Sequence, residues 1–179
     1  AGFLEHESPH IFVEFLNVEQ PYPMHEHSFV ELAVVLDGLA THRIEDSEFP
    51  SFPGDTCVFR GHRRHCFTQQ ENLHVANVQF LWSALEPVID DLRLEPGFRA
   101  LFELEPRVRH AHGFRSRLAL RPSQLAFVRE LIEELKRELD AKKPGYKFIA
   151  RSLFHTLCGY LGRAYGESDS QNQVHLNNV

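Results

Sequence analysis

The hydrophobic pattern of this chain changes period once, close to Trp82. Upstream of that point, β-branched and aromatic residues come in short runs punctuated by turn residues; downstream they recur at helical spacing. Ile11 to Val18 and His27 to Leu36 read as strands, with Asp37-Gly38 as a tight hairpin and Ala40 to Ile44 as the returning strand. Pro53-Gly54-Asp55 marks another turn before Cys57-Val58-Phe59, and His74 to Trp82 forms a last long strand. Strands at such regular intervals imply a sandwich or small barrel over residues 1–82. Residues 83–121, interrupted by Pro87, Pro96 and Pro106, read as a connecting region with short helices.

Pro122 fits the first turn of an amphipathic helix whose apolar seam is Leu125, Val128, Leu131, Ile132, Leu135 and Leu139. Lys143-Pro144-Gly145 ends it, and a second helix follows through Phe148, Ile149, Leu153, Leu157, Tyr160 and Leu161. Two helices joined so closely form an antiparallel hairpin over residues 122–165. Residues 166–179 turn polar and read as a linker or tail. The seam of the first helix either packs on its own barrel or joins a second copy of the chain. The longest aliphatic run, Leu32 to Leu36, is far short of the roughly 20 residues that cross a bilayer.

Charge divides along the same line. Residues 1–82 carry 12 acidic and 4 basic side chains, a net of −8 against −6 for the whole chain. So acidic a half is a poor match to phosphate backbones and excludes nucleic-acid binding by the barrel alone. The three cysteines, Cys57, Cys66 and Cys158, have neither disulfide-framework nor zinc-ribbon spacing and suit a reducing cytoplasm. Arg60, His62, Arg63 and Arg64 form a cationic stretch in this acidic half. They read either as a lid that attracts an anionic ligand, with Arg60 and Arg64 gripping a carboxylate, or as a solvated turn. A second basic group, Arg107, Arg109, Arg115, Arg117 and Arg121, suits a solvated surface or a partner's phosphates.

Several of the twelve histidines cluster. His25 and His27 share a strand face, where two imidazoles can converge on one ion. Glu31 has the same parity but would lie about 13 Å beyond His27 in a straight strand, so it joins them only where the strand bends or bulges near Ser28. His65 would have to arrive from a neighbouring strand. Such a set reads as a divalent metal site (Zn, Ni, Mn or Fe) or as hydrogen-bonding polar lining. Asn77 and Gln79 form a polar face opposite Val78 and Phe80, and either orient a ligand's hydroxyls or face solvent.

The spacing from His25-x-His27 to Glu31 and Gly38, with Gly54 and then His65, resembles the two signatures of the cupin β-barrels. Arg60, His62 and Gln69 depart from the second signature, which leaves the shape of that loop open. With the helices included, residues 20–165 resemble the N-terminal half of AraC-type transcription regulators. The resemblance implies a cupin-like (jelly-roll) barrel binding a small effector, often a sugar or sugar acid, with a metal on His25, His27, Glu31 and His65. It further implies a homodimer formed through the helical hairpin, DNA contacted only by a separate helix-turn-helix domain, and no catalytic residues. The competing reading is a metal-dependent cupin enzyme, a dioxygenase or isomerase, using the same four residues.

Overall fold

The computed structural model describes residues 9–18, 23–104 and 118–176, with side chains through residue 168; Arg107, Arg109, Arg115 and Arg117 lie outside them. A six-stranded antiparallel sheet is built from β1 (Ile11–Val18), β2 (Val30–Ile44), β3 (Ser47–Ser51), β4 (Asp55–Phe59), β5 (His65–Phe80) and β6 (Leu118–Ala119). The spatial order is β1-β5-β2-β4-β6, with β3 paired to the far half of β2. Two 3-10 turns, α1 (Ile89–Arg93), α2 (Pro96–Phe98) and a π-helical turn over Arg99–Leu104 follow the sheet. α3 (Pro122–Ala141) and α4 (Tyr146–Leu176) complete the fold. No described helix is long and apolar enough to cross a membrane.

β2 and β5 pair along nearly their whole length; β2 is buried on both faces from Val30 to Leu36 and on one face after the bulge. In the first half the odd positions Ala33 and Val35 join an inner core with Cys57, Phe59, Leu73 and Val75. In the second half the even positions Ala40 and Ile44 do so, beside Phe67. Side chains alternate strictly along a strand, so a change of parity requires an extra residue. It occurs at Asp37-Gly38, where the register shifts on both sides of Asp37 and again after Leu39. Gly38 adopts φ +78°, and a Cβ there would lie 2.2 Å from the Asn72 carbonyl oxygen. The expected hairpin at Asp37-Gly38 is therefore corrected to a bulge: Ala40 to Ile44 continues β2, and the chain reverses later, at Glu45-Asp46 between β2 and β3. An Asp-Gly pair supplies a left-handed residue to either device, and the two are not told apart locally.

The opposite face of the sheet carries Val30, Leu32, Val34, Val58, Ala76, Val78 and Phe80, which share one core with Phe154, Leu157 and Leu161 of α4. The sequence change at Trp82 thus marks a change of element, with the packing continuous across it. Val128, Ile132 and Leu135 of α3 are fully buried in this core, and Leu125, Leu131 and Leu139 pack against it. The seam expected to meet a second copy is consumed inside the chain, because the sheet's outer face needs the same apolar cover. Phe148 (76% exposed) and Ile149 point outward instead, and Ala150, Phe154 and Cys158 take the inner stripe of α4. Gly97 abuts Gly162, where a Cβ on Gly97 would fall 2.0 Å from the Gly162 carbonyl oxygen, so α2 and α4 meet backbone to backbone. The Arg129 guanidinium donates to the Leu36 carbonyl at 2.9 Å, tying α3 to β2 just before the bulge.

The segment expected to be a polar tail from residue 166 is helical to Leu176. No proline interrupts it, and Glu167 on its first turn is held by Arg121 and Gln124 of α3. Because Ile132 is buried within its own chain, Ile132→Ala is expected to destabilise the fold by about 2–5 kcal/mol. Urea denaturation should give the same midpoint shift at low and high protein concentration, whereas Phe148→Ala should stay within about 0.5 kcal/mol of the parent. A midpoint for Ile132→Ala that moves with protein concentration would instead assign the seam to an interface.

Candidate functional site

The four ligand-type residues reach one place from three segments. His25 lies before β2 and forms an isolated antiparallel bridge with His65 at the start of β5, each backbone N–H donating to the other's carbonyl at 3.1 and 2.9 Å. The chain then bends at Ser28 and Phe29 before β2 begins at Val30. That bend brings Glu31 back towards the histidines, since a straight run from His27 would have carried it out of reach. One ligand atom from each of His25, His27, Glu31 and His65 lies within 4.8 Å of the others.

The rings are held in a single tautomer. The Nδ1–H of His25, His27 and His65 donates to the carbonyls of Pro23, Phe29 and Arg63, each at 3.0 Å. A carbonyl can only accept, so Nδ1 carries the proton and the neutral ring presents its lone pair at Nε2. Stacking fixes the ring planes: His27 lies 4.2 Å from Phe29 and His65 lies 4.0 Å from Phe59. The Nε2 atoms of His27 and His65 stand 3.3 and 3.4 Å from the two Glu31 oxygens. These separations exceed the roughly 2.7–2.9 Å of a charge-assisted hydrogen bond, and neither buried Nε2 forms a hydrogen bond. Lone pairs facing a carboxylate repel it unless a proton or a cation stands between them. The donor set of three imidazole nitrogens and one carboxylate suits a divalent first-row metal, and backbone carbonyls orienting the far nitrogens are the usual support of such ligands. The residues therefore fit the ion.

Burial pushes the Glu31 carboxyl up, but the adjacent His27 and His65 imidazoles outweigh it and hold the group at about 2. Burial lowers the His25 imidazole from its ordinary 6.5, which favours the neutral, metal-ligating form.

A cavity of about 260 Å³ opens beside this cluster, lined by His25, His27 and Glu31 together with Glu14, Glu26, Asn77 and Gln79. Glu14 stands opposite Asn77 across the β1–β5 pairing, and Gln79 opposite Glu31 across β5–β2. The polar face of β5 is thus a pocket wall. Asn77 is 8% exposed and its Oδ1 is buried without a hydrogen-bond partner, an arrangement that costs about 1–3 kcal/mol.

Arg60 and Arg64 do not line this cavity. The Arg60 guanidinium lies 3.8 Å over the Trp82 ring, a cation–π contact that holds it there. Gly61 turns the following loop at φ +79°, and Arg64 is exposed, with its backbone paired to Glu45. The cationic lid is therefore corrected to an outward loop. Sequence reasoning missed Glu14 and Glu26 of the cavity wall, although Glu14 alternates with the buried Val13. It also missed His42, buried on the inner face and stacked 4.2 Å from Phe67.

The HTH-type transcriptional activator RhaS of Yersinia pestis (strain Pestoides F) is 28% identical over 78 residues, which are 44% of this chain and 29% of the relative. The same figures hold for RhaS of Yersinia pseudotuberculosis serotype O:1b (strain IP 31758). The aligned part is thus under a third of the length of these curated relatives. Among solved structures, a cupin-2 domain containing protein from Shewanella frigidimarina NCIMB 400 is 19% identical with a TM-score of 0.38, over 41% of this chain and 74% of that one. A putative mannose-6-phosphate isomerase from Ralstonia eutropha JMP134 is 20% identical with a TM-score of 0.37, over 42% and 78%. Likeness this slight carries no function across. The family match is broad by contrast, running over residues 10–158. On that extent, the chain belongs to the AraC-like ligand binding domain family.

Proposed function

We propose that this chain is the effector-sensing part of a cytoplasmic AraC-type transcription regulator. It takes a small polar, sugar-sized molecule into the cavity beside His25, His27, Glu31 and His65, and those four residues hold a divalent metal. The observation that carries the metal is the shared tautomer: three Nδ1–H groups tied to backbone and the Nε2 edges of His27 and His65 aimed at one ionised carboxylate. When bound, the ion supplies a Lewis-acid centre that a ligand oxygen or nitrogen can coordinate. Asn77 and Gln79, on the neighbouring strand, supply hydrogen bonds to the ligand.

Sensing requires that the ligand bind one arrangement of barrel and helices better than another. β2 joins the two, with Glu31 on the cavity face and Val30 and Leu32 in the helix-side core. DNA is contacted by a separate helix-turn-helix domain. Pairing of two copies through the hairpin would draw on its outward residues Phe127 and Phe148, since the α3 seam is occupied. A metal-dependent enzyme would use the same four residues, but the family match supports the sensor.

Titrating metal-free protein with Zn, Ni, Mn or Fe should raise its melting temperature, with one equivalent bound by elemental analysis. An affinity near 100 times below the metal concentration adds about 2.7 kcal/mol. His65→Ala should remove both the uptake and the shift, and a shift that survives this change would place the metal elsewhere. Turnover of a bound small molecule by the metal-loaded protein would instead support the enzyme.

In the metal-free protein the Glu31 carboxyl is depressed from 4.5 to about 2. Its stabilising contribution is full above 4.5 and is lost as pH falls towards 2, because there the unfolded chain binds the proton first. Glu31→Gln should flatten the rise of stability with pH across that window in guanidinium denaturation. An unchanged slope would show that Glu31 is not held ionised by the two histidines.

A further inference from the structure

The cavity beside the four-residue cluster has further chemistry of its own. Glu14 and Glu26 place two carboxylates on the cavity. Glu26 has the His62 imidazole at 3.3 Å, whereas Glu14 has no ion pair or hydrogen bond among the described residues. Beside Glu14 on the next strand sits Asn77, over nine-tenths buried, lining the cavity with an Oδ1 that accepts no hydrogen bond. An unpartnered acceptor buried at this cost, on a residue that lines a cavity, is a seat for a donor that arrives with the ligand. Among the described residues no lysine or arginine lines the cavity, and the guanidinium of Arg60 is engaged on Trp82.

We infer that Glu14 and Asn77 form a recognition subsite for an ammonium group on the effector, so that the ligand is an amine-bearing polar molecule. Two donors of one ammonium serve the Glu14 carboxylate and the Asn77 Oδ1, and Gln79 remains to bond a neighbouring hydroxyl. A carboxylate in this subsite would meet Glu14 with no compensating cation among the described lining residues and be repelled. The inference deepens the proposed sensing role and rests on the cavity being the effector site.

Three size-matched probes read this preference: ethanolamine, ethylene glycol and glycolate, titrated into metal-free protein at about pH 8, where the amine is protonated. Removing the metal matters, because a bound ion would itself attract glycolate. The Asn77 side-chain amide signals in a nitrogen-15 NMR spectrum should shift saturably with ethanolamine and at least about tenfold more weakly with glycolate, a difference of about 1.4 kcal/mol. Glu14→Gln, an exposed position, should bring the two ligands within about threefold of each other. Asn77→Leu should raise the melting temperature, by removing the unpartnered acceptor, while weakening ethanolamine binding.

Glycolate binding as tightly as ethanolamine, no saturable shift with ethanolamine, or a preference untouched by Glu14→Gln would each overturn the subsite. The metal-induced rise in melting temperature, measured on the same preparations, reports the four-residue cluster separately. Lost amine preference with that rise intact therefore counts against the subsite alone, and loss of the rise counts against the proposed metal-bearing sensor.

Discussion

A strand buried on both faces cannot slip by one residue without exposing one core and overfilling the other, and the first half of β2 is such a strand. Its first half sends Val30, Leu32 and Val34 to the helices and Glu31, Ala33 and Val35 to the barrel interior. Its second half must send Ala40 and Ile44 inward, which the bulge at Gly38 makes possible. β5 meets the same demand differently. Its inward residues, Phe67, Leu73 and Val75, stay odd-numbered across two left-handed positions, Gln69 and Asn72.

The site is prepared by groups that do not touch the cavity. Three backbone carbonyls, not acidic side chains, set the proton positions on the histidines. Two phenylalanines set the ring planes. The single carboxylate at the centre keeps its charge because the imidazoles outweigh its burial. The cavity therefore brings nitrogen lone pairs together with amide and carboxylate acceptors on neighbouring strands.

Much of this was legible in the residues, and the misses have particular causes. β1 falls on Ile11–Val18 as read, because β-branched and aromatic residues predominate there. α3 opens at Pro122 as read and ends at a left-handed Lys142 before Pro144. The convergence of His25, His27, Glu31 and His65 was legible as spacing, conditional on a bend that the structure places at Ser28 and Phe29. The Asp37-Gly38 reversal was not, because the choice between hairpin and bulge lies with the partner strand. Periodicity marks which face of α3 is apolar but not what covers it, so the seam's destination needed the sheet. Arg60 carried a charge that drew attention to the cavity, while its contact with Trp82, 22 residues away, left no local trace. Helical tails rich in Ser, Asp, Gln and Asn look like linkers by composition, and only packing partners such as Arg121 on Glu167 say otherwise.

The hold of Arg129 on the Leu36 carbonyl has a mechanical corollary. It seizes the backbone of β2 between the cavity end and the irregular pairing, where the strand has the least freedom to absorb a displacement by sliding. A tug on Glu31 five residues away would travel along a nearly inextensible ribbon and arrive at the first long helix as a pull on one guanidinium, so that the barrel's grip on its contents and the tilt of that helix are geared together.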